Sequence, residues 1–175
     1  TIPMAKLLLK LKEFEIKEIE RLGYNDFLGF PSITPTVVKS PGKGEAQLNV
    51  QPSDCVVYLD IRTVPGQDHE RLQETLTRLV REVEGEVVSD LEDGFEGSVR
   101  RRLAEHERVP SGIGFNATIE FIEDRPWTLT SKDERIVRAT SEAVRMVTGR
   151  EPVYNGVPGA TDGTFLWARK GIPIV

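Results

Sequence analysis

In residues 55–62, Cys55, Val57, Leu59 and Ile61 alternate with Val56, Tyr58, Asp60 and Arg62. Successive side chains of a strand point to opposite faces, so the first set makes an apolar face and the second a polar one. The apolar face suits a core packed on helices. The polar face puts Tyr58, Asp60 and Arg62 toward a cleft or a partner. Pro65-Gly66 breaks the strand, and Asp68 is placed to cap the next helix. That helix, over 69–84, carries Leu72, Leu76, Leu79, Val80 and Val83 at helical spacing. A half-apolar strand feeding an amphipathic helix is the grammar of a two-layer α+β fold.

The chain around this pair extends the pattern. Residues 1–20 read as a helix with Met4, Leu7, Leu8 and Leu11 on one face, Ile16 and Ile19 continuing it, and Gly23 ending it. Residues 33–40 and 45–50 read as short strands around Pro41-Gly42-Lys43-Gly44. In 86–112, Val87 and Val88 suggest a strand start, and 100–108 a charged surface helix. Phe115, Ala117, Ile119, Phe121 and Glu123 alternate as a half-buried strand. Residues 1–124 thus read as a ferredoxin-like two-layer sandwich, an antiparallel sheet with two helices on one face, if a strand precedes Thr1.

After Arg125-Pro126-Trp127 the rhythm changes. Ser131 and Glu134 stand as a capping box ahead of a helix with Ile136, Val137, Thr140, Ala143, Val144 and Val147 on one face, ending near Gly149. A short strand at 152–154, a glycine-rich loop, a helix over 162–170 and an apolar strand at 172–175 follow, the rhythm of a parallel α/β sheet. Residues 125–175 read as the C-terminal part of a separate, truncated α/β domain. The helix that opens at Thr1 and the strand that stops at Val175 both suggest cuts through a larger fold.

Composition narrows the chemistry. A net charge of −5 argues against a nucleic-acid binder, and Arg100-Arg101-Arg102 beside Glu105 and Glu107 reads as a solvated face. Cys55 is the only cysteine, so no intrachain disulfide forms, and a reducing, cytoplasmic setting fits. No apolar run approaches the roughly 18 residues of a bilayer span. The two histidines, His69 and His106, lack metal-ligand spacing and read as surface residues.

Two segments hold candidate chemistry. Gly156-Val157-Pro158-Gly159-Ala160-Thr161-Asp162-Gly163 lies between a strand and a helix, where backbone N–H groups and the Thr161 hydroxyl can meet an anion. A tight turn capped by Thr161 or Asp162 is the plainer reading. Asn49, in Asn49-Val50-Gln51-Pro52, ends one strand, and Arg62 lies on the non-core face of the next. An amide and an arginine fork converging there suit a carboxylate, whereas a surface Asp60–Arg62 pair is the plainer alternative.

Together these segments resemble the metallopeptidase and deacylase family of succinyl-diaminopimelate desuccinylase, acetylornithine deacetylase, aminoacylase and glutamate carboxypeptidase. The matches are Asn49-Val50-Gln51-Pro52, Asp60-Ile61-Arg62 with Pro65-Gly66, and Gly159-Ala160-Thr161-Asp162-Gly163, in order, with Gly149-Arg150-Glu151-Pro152 before the last. The resemblance implies a lid and homodimerisation domain over 1–124 and a catalytic-domain portion over 125–175. It implies Asn49 and Arg62 as lid residues reaching the substrate, Gly159 and Thr161 lining the pocket, and Asp162 organising its loop. It implies hydrolysis of an amide in an N-acyl amino acid or small peptide with two divalent metal ions, zinc being expected. No metal ligand is assigned in this chain; the family's general-base glutamate and lid histidine are expected upstream of Thr1. The competing reading is a dimerisation module without activity of its own.

Overall fold

The computed structural model describes residues 2–98, 116–159 and 161–175, the side chains of 87–98 excepted. Its elements are α1 (Ile2–Leu22), β1 (Ser32–Lys39), β2 (Val56–Arg62), α2 (His69–Ser98), α3 (Arg135–Thr148) and α4 (Gly163–Lys170). The order α1-β1-β2-α2 is the middle of a β-α-β-β-α-β arrangement, and the α+β, ferredoxin-like reading holds. No helix of the described residues is long and apolar enough to cross a membrane.

Two compact units divide the chain. The first comprises Thr1–Phe14, Pro35–Leu59 and Glu70–Phe121. Its buried apolar residues are Leu7 and Leu11 of α1 and Leu72, Leu76, Val80 and Val83 of α2, recurring every three or four residues. Lys10 of α1 reaches Glu86 of α2 at 2.7 Å. That hydrogen bond raises the Lys10 pKa against a smaller opposing effect of desolvation. In the same unit Thr36 Oγ1 donates to the Tyr58 carbonyl and Ser40 Oγ to that of Asp54, the register of an antiparallel pair. The expected alternation of β2 is present, with Cys55, Val57, Leu59 and Ile61 half-buried and Val56, Tyr58 and Arg62 exposed.

Several expected elements are absent from the described residues. Residues 45–50 form a loop and turn instead of a strand, with Leu48 wholly exposed, because β1 pairs with β2 directly. Val87 and Val88 lie inside α2, which runs on to Ser98. Residues 116–123 keep their alternation at Ala117 and Ile119 but pair with no strand, and Phe121 is exposed. Phe115 and the charged helix expected at 100–108 lie outside the described residues.

The second unit comprises Glu15–Thr34, Asp60–His69 and Ile122–Val175. Here the inward position of α1 is taken by Glu15, 6% exposed, while Ile16 is 46% exposed. The Glu15 carboxylate accepts the Ile33 N–H at 3.1 Å, so a buried acid is satisfied by a backbone donor. Gly23 closes α1 at φ 72°.

The capping box does not form. Arg135 opens α3, whose N-cap Glu134 makes no side-chain cap bond, and Ser131 instead accepts the Asp133 N–H. Only Val137 and Ser141 of α3 are buried, so Ile136 and Val147 of the expected stripe are uncovered. Gly149 ends the helix as expected, at φ 66°. Residues 152–154 and 172–175 are not strands: among the described residues the sheet has two strands, β1 and β2, and an isolated apolar run finds no pairing edge.

Candidate functional site

Strand alternation puts Asp60 and Arg62 on one face of β2, and the end of the strand puts Arg62 in solvent. Its guanidinium Nε donates to Asp60 Oδ2 at 2.8 Å, the surface pair weighed from sequence. A second bond reaches further: Nη1 donates to the Pro158 carbonyl at 3.0 Å, across 96 residues of sequence. The side chain remains 50% exposed, and Nη2 has no hydrogen-bond partner among the described residues. Arg62 is therefore fixed at two corners and open at a third.

The loop that receives it is built from its glycines. A Cβ on Gly156 would lie 2.8 Å from Leu28 Cδ2 and Phe27 Cβ and 2.9 Å from the Phe27 carbonyl oxygen. Only glycine lets the backbone approach that closely. Gly159 is different: a Cβ there would meet only Val157 Cγ1, at 3.9 Å. Thr161 and Asp162 are exposed, and their carbonyls accept the N–H groups of Thr164 and Phe165 in the first turn of α4. Those two donors are consumed by the loop, which weakens the reading of the helix start as an anion cradle. Asp162 stands as the N-cap with no side-chain cap bond, its carboxylate 3.6 Å from Arg125. Ala160 lies outside the described residues.

Arg62, Gly159, Thr161 and Asp162 all belong to the second unit, and Arg62 meets the loop that carries the others. Asn49 belongs to the first unit, exposed in a turn rather than at a strand end.

Beside Arg62 stands a cluster that spacing did not disclose. His69, the first residue of α2, has a side chain only 17% exposed and is not the surface residue expected. Its Nδ1 meets the Asp124 carboxylate and its Nε2 meets Thr63 Oγ1 at 3.0 Å. Nearby, Gln67 is buried, its Oε1 accepting the Val64 N–H and its Nε2 donating to Glu18. Trp127 Nε1 donates to the Gln67 carbonyl at 2.7 Å. Asp124 lies 55 residues from His69, too far for any local pattern to pair them.

No group of three or more His, Cys, Asp or Glu side chains converges among the described residues. The donors described do not fit a metal ion, which needs convergent ligands. His106 lies outside the described residues.

A family model described as a peptidase dimerisation domain matches residues 3–88. No curated protein and no solved structure matches the chain.

Proposed function

We propose that the chain, whose residues 3–88 match the peptidase dimerisation-domain family, is a member of the metallopeptidases that carry that domain and supplies the lid and substrate-pocket residues of an amide hydrolase. The substrate class proposed is an N-acyl amino acid or small peptide. Arg62 binds its carboxylate or the tetrahedral intermediate, and Asn49 is a further substrate-binding residue by the family resemblance. Gly159 and Thr161 line the pocket, and Asp162 organises the loop. The observation that supports this most is the Arg62 guanidinium, drawn to the loop by Pro158 and open at Nη2. A planar cation held in this way suits a carboxylate.

Metal ions are general in this family. Zinc, the ion we favour, would supply a Lewis acid and an activated water. No described group of side chains converges to hold such ions. The single, half-buried Cys55 suits a reducing, cytoplasmic compartment.

In the intact enzyme, Arg62→Ala should lower kcat/KM on N-acyl amino acids by more than about tenfold, the scale of losing one charged donor. Arg62→Lys should recover only part, because an ammonium has no fork. Unchanged kinetics in Arg62→Ala would remove the assignment.

The description of the matched family favours a second reading, a dimerisation module with no activity of its own. Under it the chain dimerises, and amidase assays of the intact protein remain silent with any added metal.

A further inference from the structure

The Arg62 guanidinium is placed by the backbone that carries it, and that backbone is held from the next residue onward. Thr63 follows Arg62 directly, and its Oγ1 lies 3.0 Å from His69 Nε2. The Asp124 carboxylate engages the other ring nitrogen. An ionised carboxylate accepts only, so Nδ1 carries a proton, and in the neutral ring Nε2 is left to accept from the Thr63 hydroxyl. With both nitrogens engaged and the ring largely buried, the imidazole cannot turn without losing two bonds. The Gln67 bonds to Val64 and Trp127 hold the same turn a second time. Segment 63–69 is thus closed on itself by the Thr63–His69 and Val64–Gln67 bonds and tied at Gln67 and His69 to the chain at 124–127.

We propose that His69 is a positioning residue: the Thr63–His69–Asp124 relay fixes the chain immediately after Arg62 and holds its guanidinium at the Pro158 carbonyl. The kinetic consequence rests on the reading of Arg62 as the carboxylate binder, whereas the geometric one does not.

The two halves are tested separately. In the ¹⁵N-labelled chain, the Arg62 Nε–H resonance is identified by its loss in Arg62→Lys. His69→Ala and Thr63→Val should both shift or broaden that resonance, and Thr63→Ser, which keeps the hydroxyl, should leave it in place. The Thr63 pair keeps the test open if His69→Ala fails to fold, because valine preserves the shape and removes only the bond. An Arg62 resonance unmoved by Thr63→Val, or moved equally by valine and serine, overturns the relay.

In the intact enzyme the probes are N-acetylmethionine and its carboxamide. Thr63→Val and His69→Ala should raise KM for the acid by about fivefold or more while kcat stays within about twofold, with little change for the carboxamide. A general loss of packing would lower both substrates alike. If Arg62→Ala itself leaves KM for the acid unchanged, the carboxylate reading fails while the resonance test still decides the relay. If Arg62→Ala raises KM and Thr63→Val does not, the carboxylate reading stands and the relay falls.

Discussion

Two glycines of the 156–163 loop separate a packing role from a functional one. At Gly156 a methyl group would press on the Phe27 carbonyl oxygen at 2.9 Å, and backbone there cannot yield as a flexible side-chain tip would. Gly156→Ala should therefore cost about 1–3 kcal/mol, the range for overpacking, seen as a lower urea midpoint with unchanged slope. Gly159→Ala meets no neighbour closer than 3.9 Å and should stay within about 0.5 kcal/mol of wild type. If Gly159 faces substrate, its alanine variant should change KM in the intact enzyme while leaving that midpoint alone. A large stability loss at Gly159 would show instead that its conformation matters to the fold. Lys10 adds a pH prediction at the same scale. Its pKa is raised by Glu86, so its stabilisation is fully present below its ordinary value of 10.5. As pH climbs above that value through the raised one, the stabilisation is lost, so a wild-type advantage over Lys10→Met should fade only in that alkaline range.

At the scale of elements, α1 shows where a sequence pattern is readable and where it misleads. Leu7 and Leu11 set the inward face, but the next inward position falls on Glu15 and not on Ile16, since a four-residue step stays on one face. Apolarity suggested the isoleucine. The helix prefers to keep its register, and the Ile33 N–H satisfies the acid. Glu15→Ala should cost about 1–3 kcal/mol by leaving that donor unpaired, whereas Ile16→Lys, on the exposed side, should be nearly neutral in chemical denaturation. The strand β2 was legible because both of its faces are written in its own alternation. Residues 45–50, 116–123, 152–154 and 172–175 were not, because a strand exists only when an edge accepts it, and no local sequence names that edge. The same limit hid His69: its partners Thr63 and Asp124 lie six and 55 residues away and meet only in the fold. Arg62 was found because alternation exposed it, but its bond to Pro158 was not foreseeable.

For the whole molecule, the match over residues 3–88 supports association through a domain in which no group of three or more metal-ligating side chains converges among the described residues. Dimerisation and metal loading should then be separable. Light scattering coupled to size-exclusion chromatography should give twice the 19.6 kDa mass of one chain, and the dimer should persist in EDTA and gain nothing from added zinc. The melting temperature should also be unmoved by EDTA, because binding stabilises a fold only where the native state holds the ligand more tightly than the unfolded one. A dimer that dissociates on chelation would place a bridging ion between protomers and require donors contributed by both. A monomer under all conditions would remove the self-association reading of this chain while leaving the Arg62 site to be judged on its kinetics.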